Sequence, residues 1–444
     1  MRIRKLTIEN LFDIFNHQIP FKTKDHITII HGPNGVGKTT ILKLLSDLFC
    51  KRFSSLKYLP YKKLRIDFEN PRSRLEVTRK QSKNIQEPIQ LNFNMHRGKE
   101  SYTYKTEKRN TIKEEIGRFP LSIIEELVDS LERVGSTRWL DRSSGDILDL
   151  DDVLSIYGHR IPSDFPSNKL LDIPDWLTDF LNEMPIHFIQ TQRLFAIPFE
   201  AIYKYRHKKS NVISTVERYS EEMVDRIQTS LKQSAVRATS LDRTFPHRLL
   251  DSELPSNVTQ EQIRNQYSEQ AEYRSRLMNA GLIDPEDPVA LPPSNLDKNA
   301  LRVLWHYQND VQEKFDVFDS LLKRIELFKE IINTRFLYKN FSVDKENGFI
   351  FKTDKKRNVP LRTLSSGEQH ELVLAFELLF RVDEGTLILI DEPELSLHVT
   401  WQHKFLEDIA RISDLVNLDF LVATHSPSII HKQSHLMVPL GETR

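Results

Sequence analysis

The chain has 444 residues, enough for two or three domains, and its 39% hydrophobic and 28% charged content is that of a soluble globular protein. Lys and Arg total 63 against 63 Asp and Glu, so no global charge draws the chain to nucleic acid or membrane, and a single cysteine, Cys50, excludes an intrachain disulfide and a cysteine-based zinc site. The opening MRIRKLTIENLF lacks the apolar core of a signal peptide, and no apolar run reaches the roughly 18 residues of a membrane span, so a cytoplasmic location without a membrane partner is expected.

In MRIRKLTIENL, Ile3, Leu6 and Ile8 stand among polar residues and predict a half-buried strand. HITII (26–30) predicts a short buried strand that runs into HGPNGVGKTT; Ile41, Leu42, Leu44, Leu45 and Leu48 then mark one face of a helix. Within 62–106, KKLRIDFEN, SRLEVTRKQ, IQLNFNMH and SYTYKTEK predict four short antiparallel strands. Residues 51–80 carry ten Lys/Arg against three acids, Asp67, Glu69 and Glu76; a solvated strand surface is the commoner meaning of such an excess, and a face for phosphates the sharper one. Residues 107–184 read as mostly helical and irregular. Their LDLDD (148–152) has a D-x-D spacing but no expected flanking strand, and reads as a loop or helix cap.

IHFIQTQRL (186–194) restores the buried-strand pattern, and long helical patterns follow at 211–240, 259–281 and 297–336. In the last, Leu304, Tyr307, Val311, Phe315, Phe318, Leu322 and Ile325 recur at spacings of three and four, a heptad-like seam. Residues 205–336 therefore read as a helical arm leaving and rejoining the core, or as an ordinary helical subdomain. After 340 the strands GFIFKT, TLILIDEPE and DFLVATHSP resume. HKQSH (431–435) has two histidines without supporting acids and reads as part of a surface tail.

GPNGVGKT fits G-x-x-x-x-G-K-[ST], and with only 13 glycines in the chain the match is specific. Gly32, Pro33, Asn34, Gly35, Val36, Gly37, Lys38, Thr39 and Thr40 are the expected nucleotide-binding residues. Backbone N–H groups and a helix N-terminus would hold phosphate oxygens, Lys38 would reach the outer phosphates, and the Thr39 hydroxyl would ligate Mg²⁺. TLILIDE (386–392) delivers Asp391 and Glu392 at the C-terminal end of a buried strand, where open α/β sheets bind ligands. Asp391 is the expected Mg²⁺ ligand, and Glu392 the group that polarises the attacking water; an acidic pair after a strand otherwise serves as a helix cap. FLVATHS (420–426) presents His425 after a third core strand as a sensor of the γ-phosphate. In FIQTQR, Gln190 and Gln192 share a face; Gln192, further into the loop, is preferred as the amide contacting both Mg²⁺ and water.

These motifs resemble, in order, those of ATP-binding-cassette ATPases of the branch that includes SMC, RecF and OLD-type proteins: a P-loop at Gly32–Thr40, a Q-loop at Gln192, a signature LSSGE at 364–368, a Walker B strand at 386–392, a D-loop ELSLH at 394–398 and a switch histidine, His425. The resemblance covers about 1–106, 186–194 and 341–430, and implies an α/β P-loop NTPase core of that type with an antiparallel β subdomain and a helical, coiled-coil-type insertion. The division read along the chain is 1–106, first part of the core with the P-loop and β subdomain; 107–184, helical insert; 185–204, core strand and Q-loop; 205–336, helical arm or subdomain; 337–444, remainder of the core. The cofactors implied are ATP and Mg²⁺.

The resemblance also implies that two units meet head to tail, with Ser365 and Gly367 of one contacting the γ-phosphate held by the other, flanked by Ser366 and Glu368. Ser366 and Glu368 depart from the usual LSGGQ; a carboxylate near phosphate is expected to point away or to cap the helix. DEPELSLH and FIQTQRL look more like OLD-type and related defence ATPases than transporter subunits, yet little chain follows His425 to build the nuclease domain OLD proteins carry. The sequence therefore resembles stand-alone ATPases of anti-phage systems of the PARIS (AriA) or Septu (PtuA) type, which act with a separate TOPRIM or HNH effector. The expected function is a self-associating ATPase that holds and releases a nuclease effector. The alternatives are a DNA-repair or DNA-clamping ATPase of RecF or SMC type, for which DNA is a partner, and the ATPase subunit of a transporter.

Overall fold

The computed structural model describes residues 1–69, 72–80, 89–106, 124–125, 128, 130–135, 138–141, 146–157, 173–189, 214–251, 253, 255, 258–287, 291, 295–395, 399–431 and 433–441. The chain forms two compact units, one of residues 1–212 with 382–444 and the other of residues 213–381.

The first unit begins with β1 (Ile3–Leu11) and β2 (Phe15–Pro20), followed by β3 (Ile27–His31), helix α1 (Lys38–Phe49) and the short helix α2 (Phe53–Tyr58). Strands β4 (Lys63–Phe68), β5 (Ser73–Lys80), β6 (Gln90–Arg97) and β7 (Glu100–Lys105) complete an antiparallel sheet of order β2-β1-β4-β5-β6-β7. The register of β1 against β4 shifts between Ile3 and Lys5, and this bulge lets Ile3, Leu6 and Ile8 all reach the core although they do not alternate strictly. Part of the basic excess of 51–80 is matched locally: Arg65 and Arg74 both pair with Asp67 at 3.1 and 2.8 Å, and Lys63 pairs with Glu76 at 3.0 Å. Burial opposes the charge of Asp67, but the two guanidiniums outweigh it and hold the carboxyl below its ordinary range.

The expected helical insert differs from the structure. Strands β8 (Leu131–Arg133), β9 (Arg138–Asp141) and β10 (Asp146–Asp149) form a three-stranded antiparallel sheet before helices α3 (Leu150–Tyr157) and α4 (Asp175–Asn182). LDLDD accordingly spans a strand–helix junction and does have a flanking strand. β11 (Ile186–Ile189) then enters a second sheet.

The second unit contains four long helices, α5 (Thr215–Asp251), α6 (Gln260–Asn279), α7 (Lys298–Asp316) and α8 (Asp319–Arg335), and a sheet of β12 (Lys339–Asp344), β13 (Gly348–Thr353) and β14 (Asn358–Val359). Helix α9 (Ser366–Phe376) runs on into a π-helical turn, Glu377–Arg381, whose Leu379 carbonyl accepts from Arg324 Nη1 at 2.7 Å. The expected continuous seam over 297–336 is interrupted between α7 and α8. In its first half Tyr307 is exposed, and beside the expected Val311 the buried positions are polar: His306, Gln308 and Asp310. Gln270 Nε2 donates to the Gln308 carbonyl and Gln308 Nε2 to the Ile263 carbonyl, each at 2.7 Å, while Arg248 grips Asp310 at 2.6 and 2.8 Å. Directional polar pairs therefore join Val311 in setting the register there, and an apolar stripe is sustained only in α8.

Back in the first unit, β15 (Leu387–Asp391), α10 (Val399–Val416), β16 (Asp419–Thr424), the single turn α11 (Pro427–Ile430) and β17 (Met437–Pro439) complete a parallel sheet of order β11-β15-β16-β3-β17. Its central strands are buried on both faces, which is why ITII, LILI and FLVA are continuous apolar runs. α1 packs into the core cluster shared by this sheet and β1, β4, β5 and β6, which fixes the end of β3 and the start of α1 as one rigid corner. Within HKQSH, His431, Ser434 and His435 are exposed, as expected, but the chain beyond is no tail: Leu436, Val438 and Leu440 are buried, and β17 extends the sheet beside β3.

Candidate functional site

The P-loop occupies that corner. Gly37 caps α1 with φ +97°, and a Cβ there would fall 2.6 Å from Leu11 Cδ2; a Cβ on Gly32 would fall 2.8 Å from the Leu440 carbonyl oxygen. Gly37 is therefore demanded by its left-handed backbone and close packing, and Gly32 by close packing alone. Lys38 is 5% exposed, and its Nζ donates to the Gly32 and Pro33 carbonyls at 2.8 and 3.2 Å, folding the ammonium over the loop. The loop is also held from outside by two contacts that no motif announces. His17 Nε2–H, from β2, donates to the Val36 carbonyl at 3.0 Å; burial lowers the pKa of this ring, which suits a neutral donor. Leu440 N–H donates to the His31 carbonyl at 2.7 Å, so the strand after the last motif braces the first one.

Asp391 ends β15 opposite Ala423 of β16. The Thr39 side chain hydrogen-bonds to it, and burial, assisted by neighbouring Glu392, pushes its carboxyl above the ordinary range against the pull of Thr39, Lys43 and Lys38. Asp391 Oδ1 is buried with no hydrogen-bond partner. An orphaned carboxylate oxygen beside a threonine hydroxyl at a helix N-terminus is an all-oxygen donor set that fits Mg²⁺, which keeps most of its own waters and takes one or two protein ligands. Asp391→Asn is therefore expected to raise the melting temperature of the nucleotide-free protein by a few degrees at pH 8, on the order of 1 kcal/mol, because it removes an uncompensated buried charge. A carboxyl whose folded pKa is raised weakens the fold as pH rises through that pKa, so the advantage should shrink as pH falls into the carboxylate range. Thermal melts of both proteins across pH check this; equal melting temperatures at pH 8 would count against it.

Glu392 sits in the left-handed region, φ +45°, with its N–H donating to the Ala423 carbonyl at 2.8 Å. A non-glycine residue held there stores backbone strain, a recurring feature of reacting groups. Its Oε1 lies 3.6 Å from His425 Nδ1, and Glu394 Oε1 lies 3.1 Å from the same nitrogen. The structure thus brings Lys38, Thr39, Asp391, Glu392 and His425 to the C-terminal edge of one parallel sheet. It adds Glu394, the first residue of the D-loop ELSLH, to which the sequence assigns no contact of its own. Gln190 and Gln192 lie outside the described residues, as do Ser396, Leu397 and His398 of ELSLH.

The signature belongs to the second unit. Ser365 is the N-cap of α9, and Glu368 completes a capping box: Glu368 Oε2 accepts from Ser365 N–H at 2.8 Å, and Ser365 Oγ accepts from Glu368 N–H at 3.4 Å. Lys339 pairs with the other oxygen, Oε1. Burial opposes the charge of Glu368, yet Lys339 and Ser365 outweigh it and hold the carboxyl below its ordinary range. The glutamate that departs from LSGGQ is thus spent on its own helix, which leaves the backbone N–H groups of Ser366 and Gly367 at the positive end of the dipole. Further along α9, Glu371 is buried 4.0 Å from Arg335 of α8; burial raises its carboxyl, with the arginine opposing.

Fold and site together define a P-loop ATPase of mixed α/β build with an antiparallel sheet and long helices. Residues 27–431 match the family described as "AAA domain, putative AbiEii toxin, Type IV TA system", and the chain belongs to it. It is also similar to the zinc import ATP-binding protein ZnuC of Rickettsia bellii, 27% identical over 131 residues, which are 30% of this chain. The chain spans about half, 54%, of that relative's length. Among solved structures it is similar to the Smc head domain of Pyrococcus furiosus with an extended coiled coil, bound to the C-terminal domain of ScpA (14% identity, 99% of this chain and 93% of that one, TM-score 0.34), and to the SMC head domain from Thermotoga maritima (12%, 100% and 96%, TM-score 0.33). Likenesses at such TM-scores say nothing of function. No helix among the described residues is long and apolar enough to cross a membrane.

Proposed function

We propose that the chain hydrolyses ATP in a head-to-tail assembly of its own copies and uses that cycle to hold or release a separate effector, a nuclease, in defence against phage. The observation that carries the hydrolysis reading is the orphaned Asp391 Oδ1 beside Thr39, within the same P-loop corner as Lys38. Lys38 leaves the loop carbonyls for the outer phosphates; Thr39 and Asp391 would hold Mg²⁺, which would supply positive charge against the phosphates. Glu392 takes a proton from water as the water oxygen bonds to the γ-phosphorus. The bond from that phosphorus to the bridging oxygen breaks, and ADP leaves. The signature turn of a second copy, Ser365 and Gly367, meets the γ-phosphate, with the N–H groups of Ser366 and Gly367 as its donors. The toxin–antitoxin wording of the family description supports the defence setting, as does the likeness of the motifs to stand-alone defence ATPases.

The test is the rate of ATP hydrolysis per protomer against protein concentration. A rate that climbs and then saturates supports a shared site; a constant rate from a persistent monomer contradicts it, and no hydrolysis at any concentration contradicts the enzyme. Co-purification with the product of the neighbouring gene tests the effector: a nuclease supports the reading, and a permease or recombination protein contradicts it.

A further inference from the structure

One buried carboxylate at the edge of the parallel sheet has no part in the steps above. The Glu394 side chain is 7% exposed, and both of its oxygens are engaged. Oε1 accepts from the His425 backbone N–H at 3.0 Å and lies 3.1 Å from His425 Nδ1; Oε2 accepts from Thr424 Oγ1 at 2.8 Å. Its backbone is held as well: Gln402 Nε2 donates to the Glu394 carbonyl, and Gln402 Oε1 accepts from Ser426 Oγ, each at 3.2 Å. The turn after β15 and the turn after β16 are thereby tied together through one residue.

A carboxylate oxygen accepts, so Oε1 at 3.1 Å favours the proton on the nitrogen it faces. We infer that Glu394 is the positioning residue of His425: it holds the proton on Nδ1 and fixes the ring's orientation, leaving Nε2 to meet the terminal phosphate, to which it donates once the phosphate charge draws a second proton onto the ring. Glu392 lies farther from the same Nδ1, at 3.6 Å. By occupying Nδ1, Glu394 also keeps the ring from pairing with Glu392, whose carboxylate stays available to water. Without Glu394, the base itself is the carboxylate left within 4.0 Å of Nδ1 among the described residues.

The purpose of this arrangement rests on the hydrolysis reading, but its geometry does not, so the test has two arms. In the first, long-range ¹H–¹⁵N spectra of the nucleotide-free full chain are recorded with labelled histidine at mildly alkaline pH, where an ordinary imidazole is neutral, and His425 is assigned from the signal lost in His425→Gln. The expected result is the Nδ1–H tautomer in the wild type, its loss in Glu394→Ala, and its retention in Glu394→Gln, whose amide oxygen still accepts. An Nε2–H ring in the wild type, or an unchanged ring in Glu394→Ala, overturns the inference. In the second arm, Glu394→Ala should lower kcat about tenfold with KM for ATP unchanged, and Glu394→Gln should restore most of the loss. A rise in KM at constant kcat, or no change in either, overturns the positioning role. If the wild type does not hydrolyse ATP, the hydrolysis reading fails while the tautomer still decides the inference.

Discussion

Glu392→Gln should cut ATP hydrolysis by about 10²–10³-fold while leaving ATP bound and the assembled form populated. The amide is isosteric, so the left-handed turn at 392 and its hydrogen bond to the Ala423 carbonyl survive. Lys38, Thr39 and Asp391, which would hold the nucleotide and its metal ion, are untouched. What disappears is the group that takes the proton from water. Because the shared site is complete only with nucleotide in place, slowed hydrolysis should stall the molecule in its assembled state. Single-turnover hydrolysis and light scattering with and without ATP read both effects. Full turnover by this variant would remove Glu392 from the proposed role.

The second large effect is expected at the signature, where the choice of substitution matters. Ser365→Ala would confound function with folding, since Ser365 caps α9 and its loss costs about 1 kcal/mol. Gly367→Asp avoids this. A carboxylate in the first turn of a helix is favourable for the helix itself, so the melting temperature should hold or rise slightly. The same charge would face the γ-phosphate held by the other copy, and hydrolysis should fall by about 10²-fold or more. Unchanged hydrolysis by a folded Gly367→Asp protein would argue that this turn meets no phosphate.

The legible parts of the fold are those whose signal is local. Strands β3, β15 and β16 are buried on both faces and so appear as unbroken apolar runs, and GPNGVGKT, LSSGE and TLILIDE are contiguous. The missed parts depend on partners distant in sequence. β8, β9 and β10 span only three or four residues each, and RWLD and DILD show no period that separates them from loop. The heptad spacing over 297–336 was real, but Gln308 is paired with residues 263 and 270, and Asp310 with 248, and these pairings override the apolar stripe in α7. Glu394 has partners at 402, 424 and 425, brought near only when β15 and β16 lie side by side. His17 and Leu440 brace the P-loop from opposite ends of the chain for the same reason.

The central claim, that each ATP site is completed by a second copy, is tested most directly by mixing two inactive proteins. Lys38→Ala removes the P-loop ammonium from one copy, and Gly367→Asp blocks the signature of the other. If the sites are shared, a mixed pair contains one intact site, formed by Lys38 of the signature variant and Ser365 and Gly367 of the P-loop variant. Random pairing of equal amounts should then recover about a quarter of wild-type hydrolysis, although neither protein alone is active. No recovery from well-folded, freely exchanging partners would contradict the shared site.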